Sequence, residues 1–129
     1  MIGLAALAVV LLGAAWLVFV AAVCAMRPDA ARDGLAQMGA NWRMQLGEHV
    51  PRAVVGAALI LRAAHSKAPL LFEVGGWFIL ASSILILLLP MRWHHAYAVW
   101  WADRIPLSVY RLFALPTAAA GAMLAYAAL

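Results

Sequence analysis

A single cysteine, Cys24, is present, which excludes an intramolecular disulfide and any paired-cysteine zinc motif. Val23 stands before it, where a lipoprotein cleavage box wants a small residue, so Cys24 reads as a small apolar core residue. Acid is scarce as well: five Asp and Glu face nine Lys and Arg, for a net charge of +4. The chain has no P-loop, GxSxG or HExxH and no paired carboxylates at catalytic spacing, so hydrolysis and phosphoryl transfer lack their usual carriers. The spacing of Asp29 and Asp33 is a weak metal signal, because a phosphate–magnesium site needs more than two ligands. Ser82, Ser83 and Thr117 have no histidine or carboxylate placed to activate them. The expectation is a protein that is not an enzyme and carries no cofactor.

Charge of either sign is rare. Only 11% of the residues are Asp, Glu, Lys or Arg and 68% are hydrophobic, against about 25% and 45–50% in an ordinary soluble domain. A water-soluble fold of this length could not hide so much apolar surface, so lipid is the expected solvent. Basic residues sit at the ends of apolar runs, where they act as topology signals and headgroup contacts. No basic surface with interleaved aromatics is present, so nucleic acid is not an expected partner.

What the chain does have is long apolar runs. Residues 2–26 carry no charged, amide or hydroxyl side chain, and as a helix they reach about 37 Å, enough to cross a hydrocarbon core of about 30 Å with some tilt. Further spans are expected over residues 70–89 and 107–128, the last with Arg111 near its start and Pro116 as a kink. Residues 50–64 are harder to place. Their uninterrupted apolar core, 53–61, gives only about 14 Å of helix, so crossing requires Arg52 and Arg62 to snorkel to opposite faces. Counting this segment as a span puts Arg27, Arg32, Arg43, Arg52, Arg92, Arg104 and Arg111 on one side and Arg62 and Lys67 on the other. Seven against two obeys the positive-inside bias better than the six against three of a three-span chain. The expected fold is therefore all-α, a single membrane domain over 1–129 with four transmembrane helices, three being the alternative. Both termini are expected on the periplasmic side of a bacterial inner membrane.

Two interfacial helices complete the expectation. Over residues 30–47, Leu35, Met38, Trp42 and Leu46 recur at three- and four-residue steps, which predicts an amphipathic helix in the headgroup layer. Gly34 and Gly39 argue against its regularity. Residues 91–105 concentrate Trp93, Tyr97, Trp100 and Trp101, rings that prefer the headgroup level, so with Trp42 these are the expected interfacial anchors.

Few side chains are candidates for chemistry. Glu73 lies one turn into its span, where an acid is a functional-site hypothesis by default. A tight turn at Pro69 would bring Arg62 to a similar depth, so an Arg62–Glu73 ion pair is expected. Thr117, Gly121 and Ala125 are spaced by four and form a small-residue face suited to close helix packing. His49, His65, His94 and His95 all lie outside the spans, which argues against bundled haem. In the four-span arrangement His49, His94 and His95 share one face, leaving a peripheral metal site open, with His94 and His95 the weak cofactor candidates. Neighbouring histidines on a helix point about 100° apart and chelate one ion poorly.

Gly76-Trp77, the Leu/Ile run after it, and Pro90-Met91-Arg92-Trp93-His94-His95, with Glu48 and Arg52 upstream, resemble small multi-spanning inner-membrane proteins of bacteria. That resemblance covers about half of the chain and implies no particular activity. The expected role is a non-catalytic accessory, assembly or scaffold component in the bilayer, with a protein partner or further copies of itself. One alternative is a minimal oligomeric transporter or channel using Glu73 and Arg62. Another is a subunit of a haem- or quinone-containing redox complex.

Overall fold

The computed structural model describes all of residues 1–129 and is entirely helical. Helix α1 spans Ile2–Met26, α2 Pro28–Ala36, α3 Trp42–Arg62, α4 Pro69–Leu88, α5 Met91–Arg104 and α6 Leu107–Ala128, with a single 3-10 turn at Ala63–His65. Prolines punctuate the chain. Pro28 and Pro69 occupy first-turn positions of α2 and α4, where the missing N–H costs nothing, and Pro90 and Pro106 immediately precede α5 and α6. Asn41 caps α3, its Oδ1 accepting the Met44 N–H at 3.0 Å.

Four long helices alternate in direction. Helix α1 packs mainly on α6 and α3 mainly on α4, and contacts between α1 and α3 join the two pairs. One pole of the bundle gathers the ends of α1 and α4, the starts of α3 and α6, and both short helices. At the other pole the Lys67 amide donates to the Ala127 carbonyl at 2.8 Å, tying the α3–α4 turn to the end of α6.

The packing seams are built from small residues. A Cβ on Gly76 would lie 2.7 Å from the Gly56 carbonyl oxygen, and one on Gly56 would lie 2.7 Å from the Leu80 amide, so α3 and α4 touch backbone to backbone. Gly121 does the same against α1, with Ala14 O at 2.8 Å from the site of its missing Cβ. Ala6, Val10, Ala58, Leu59, Ala63, Phe72 and Ala128 form the buried core. Large apolar side chains point the other way: Trp16, Phe19, Trp77, Phe78, Leu112 and Leu115 are exposed. Small residues inside and large ones outside is the arrangement expected where lipid takes the place of water, because association then depends on close van der Waals approach.

Three helices, α1, α4 and α6, are long and apolar enough to cross a membrane. The expected boundaries change at two places. Residues 30–47 are not one helix: α2 stops at Ala36, and a turn follows in which Gly39 takes φ +71°, a conformation that glycine adopts without steric cost. Nor does a new helix begin at residue 50, since α3 runs unbroken from Trp42 through Pro51 to Arg62. Proline inside a helix removes an N–H donor and crowds the carbonyl four residues earlier, here that of Gly47, and α3 accommodates Pro51 within its helical run.

The backbone contact predicts an asymmetry between adjacent glycines. Gly76→Ala should cost about 1–3 kcal/mol through overpacking. Gly75→Ala, whose Cβ would meet nothing within 4 Å, should be neutral or slightly stabilising, as alanine is the better helix former. Unfolding titrations in mixed detergent micelles check both.

Candidate functional site

Gln45, Glu48, His49 and Arg52 fall at positions i, i+3, i+4 and i+7 of α3, which places them on one face of the helix. That face turns inward. Gln45 is 1% exposed and His49 0%, whereas Trp42 and Leu46 of the apolar stripe are exposed at 59% and 46%. The helix is therefore amphipathic in the reverse of the soluble sense. Its polar stripe packs against the last turn of α4 and the first turns of α5.

Gln45 organises the contact. Its Nε2 donates to the Ile86 carbonyl at 3.3 Å, and its Oε1 lies 2.8 Å from His94 Nδ1. With the amide nitrogen committed to a carbonyl, Oε1 must accept, so the proton of His94 sits on Nδ1 and Nε2 keeps its lone pair. His95 turns away and donates from Nδ1 to the Met38 carbonyl at 3.0 Å. Adjacent histidines thus hold two different elements, α3 and the turn before it. Gly39 makes this approach possible: a Cβ there would lie 2.9 Å from the His95 amide and 3.0 Å from His94 Nδ1.

His49 lies beneath His94, the ring centroids 5.0 Å apart and tilted by 58°. Neither nitrogen of the His49 ring has a hydrogen-bond partner, and Glu48 Oε2, also buried, has none either. Glu48 Oε2 approaches His49 Nε2 to 3.6 Å, beyond a hydrogen bond. Ligand-capable atoms of Glu48, His49 and His94 all lie within 4.8 Å of one another.

A cleft of about 360 Å³ opens beside this cluster, lined by Glu48, Arg52, His94, Ile86, Leu89, Trp93 and Tyr97. Arg52 does not pair with Glu48 one turn earlier. It reaches across to α4 and donates from Nη2 to Ser82 Oγ at 3.3 Å.

The other expected residues are dispersed. Arg62 and Glu73 form no ion pair: Arg62 Nε donates to the Ala128 carbonyl at 3.1 Å, capping α6, and Glu73 is exposed on the outer face of α4. Similar depth was not enough. Phe72, Gly76 and Ser83 mark the buried side of α4, and Glu73 is roughly 80° round the helix from their mean direction. Of the small-residue face, Gly121 packs on Ala14, Leu17 and Val18 of α1, while Thr117 donates to the Phe113 carbonyl at 2.7 Å within its own helix. Ala125 lies on the same side, half-buried. Trp42, Trp93, Tyr97, Trp100 and Trp101 are all exposed, and Trp100 is stacked by the Arg104 guanidinium at 4.0 Å.

Comparison with known protein families, with curated proteins and with solved structures gave no match. The site must therefore be read from its own geometry. The sequence puts His49, His94 and His95 on one face with a peripheral metal site open there; the structure brings His49 and His94 together and turns His95 away to Met38. Gln45 and Glu48 are not among the residues the sequence singles out for this site, although their spacing with His49 on α3 is a readable signal.

Two outcomes follow. Arg62→Gln should lower stability in detergent by about 1 kcal/mol through loss of the charged cap, and Glu73→Gln should leave it unchanged. Gly39→Ala, with a disfavoured φ and a blocked Cβ, should cost about 2 kcal/mol. Thermal melts of the purified variants distinguish these cases.

Proposed function

We propose that this chain is a non-catalytic, multi-pass component of a membrane protein complex, docked to a partner helix through the outer face of α4. One observation carries the reading. Glu73 stands exposed and unpaired among Leu70, Leu71, Val74, Trp77 and Phe78, four residues in from Pro69, or about 6 Å along the helix axis. A carboxylate facing acyl chains is costly, about 2.5–3.5 kcal/mol at the centre of a span and less near its ends. A partner helix that supplies a basic or hydrogen-bond-donating side chain at that depth removes the cost.

The same reading includes four spans, with α3 as the fourth. Turning its polar stripe inward and Leu46, Val50, Val54 and Leu61 outward suits a lipid-facing helix. The arginine-rich pole then faces the cytoplasm, with α2 and α5 in the headgroup layer and both termini periplasmic. The resemblance at Gly76-Trp77 and Pro90–His95 favours a bacterial inner membrane. A transport path through Glu73 and Arg62 has no geometric support, because one faces outward and the other caps α6. Haem held between His49 and His94 has none either, since the two rings pack directly on each other.

Purification from native membranes in mild detergent should yield a complex larger than one chain. Glu73→Leu should release the partner while the variant itself stays folded. A wild-type protein that runs as a single chain in both detergent and native nanodiscs would overturn the reading. A complex made only of copies of this chain would replace the accessory role with self-assembly.

A further inference from the structure

We propose that Glu48, His49 and His94 bind one divalent transition-metal ion of the zinc class at the arginine-rich pole of the bundle. The inference is independent of the partner on α4. It starts from two residues, Glu48 and His49, with buried ligand atoms that nothing in the protein satisfies. His49 is 0% exposed with both ring nitrogens unpartnered, and Glu48 Oε2 is buried beside it without a hydrogen bond. An unsatisfied buried polar atom costs about 1–3 kcal/mol, and here two of them, Glu48 Oε2 and His49 Nε2, lie 3.6 Å apart.

The distances suit an ion. Ligand atoms bound at about 2.0–2.2 Å around one zinc lie roughly 3–4 Å apart. Those of Glu48, His49 and His94 are within 4.8 Å of one another, so side-chain rotation of less than about 1 Å per ligand closes the set without moving a helix. The donor chemistry narrows the choice of ion. Two imidazoles and one carboxylate suit zinc, cobalt, nickel or copper, whereas magnesium and calcium favour oxygen alone.

An outer layer is already in place. A ligating imidazole is normally fixed by a hydrogen bond from its other nitrogen. Gln45 Oε1 holds His94 Nδ1 in this way at 2.8 Å, and Gln45 is itself anchored on the Ile86 carbonyl. With Nδ1 engaged by Gln45, Nε2 is the His94 nitrogen left to ligate. Three protein ligands leave a fourth position, and the adjoining cleft, which Glu48 and His94 both line, lets a water complete the shell. His95 takes no part, because its Nδ1 holds Met38 and the residue lies outside the converging set.

The test uses the full chain in detergent micelles after treatment with a chelator. Cobalt(II) is the probe, since a four- or five-coordinate nitrogen–oxygen site gives it an intense visible absorption that the aqueous ion lacks. The expected result is one cobalt per chain, displaced stoichiometrically by zinc. Glu48→Gln, which preserves shape, and His94→Ala, at the half-buried edge of the cluster, should abolish the spectrum with the helical circular dichroism unchanged. Gln45→Leu should weaken binding about 10–100-fold, and His95→Ala should leave it intact. An unaltered aqueous cobalt spectrum with the wild-type chain would overturn the proposal, in favour of a buried water at the cluster. So would binding indifferent to both Glu48→Gln and His94→Ala.

Discussion

Close approach of helix backbones is the constraint on which the rest of this molecule depends. Where lipid surrounds a bundle, apolar side chains gain nothing by leaving it for one another, and helices hold together by fitting tightly. Gly56 against Gly76, and Gly121 against Ala14, provide that fit. Their seams lie along the α3–α4 and α1–α6 pairs, and everything at the arginine-rich pole is positioned by them. Helix α4 ends where Gln45 can reach the Ile86 carbonyl because α3 and α4 are locked in register further along.

Polarity is inverted in consequence. In a soluble amphipathic helix the apolar stripe faces the core and the polar one faces water, whereas the spacing of Leu35, Met38, Trp42 and Leu46 predicts a helix lying in the headgroup layer. In the fold Trp42 and Leu46 lie outside, and the stripe of Gln45, Glu48, His49 and Arg52 lies inside. Burial of these groups tolerates little slack, because each polar atom needs a partner. Gln45, His94, His95, Arg52 and Ser82 find theirs among α3, α4, α5 and the Gly39 turn. His49 and Glu48 do not, and their lack of partners sets the cluster apart from ordinary interhelical bonding.

Much of the helical outline was legible from residue type. Long apolar runs fix α1, α4 and α6, and Pro28, Pro69, Pro90 and Pro106 mark starts that local chemistry dictates. The break at residues 37–41 had a signal in Gly39, but the periodic apolar positions on either side masked it. Continuity through Pro51 was not legible, because proline normally argues for a boundary. Depth could be read for Arg62 and Glu73, but rotation about the helix axis could not, and rotation decides whether two side chains meet. The site was half visible. Its members share a helical spacing on α3, yet their meeting with His94 depends on a tertiary contact between residues 49 apart.

The inward polar stripe of α3 bears on biogenesis. In the four-span arrangement, a segment carrying Gln45, Glu48, His49 and Arg52 gains little by partitioning alone from the translocon into acyl chains. Helix α4 follows after a turn of only a few residues, and it offers the Ile86 carbonyl and the Ser82 hydroxyl to two of those groups. The pair is suited to enter lipid together as a hairpin, the apolar second helix carrying the reluctant first.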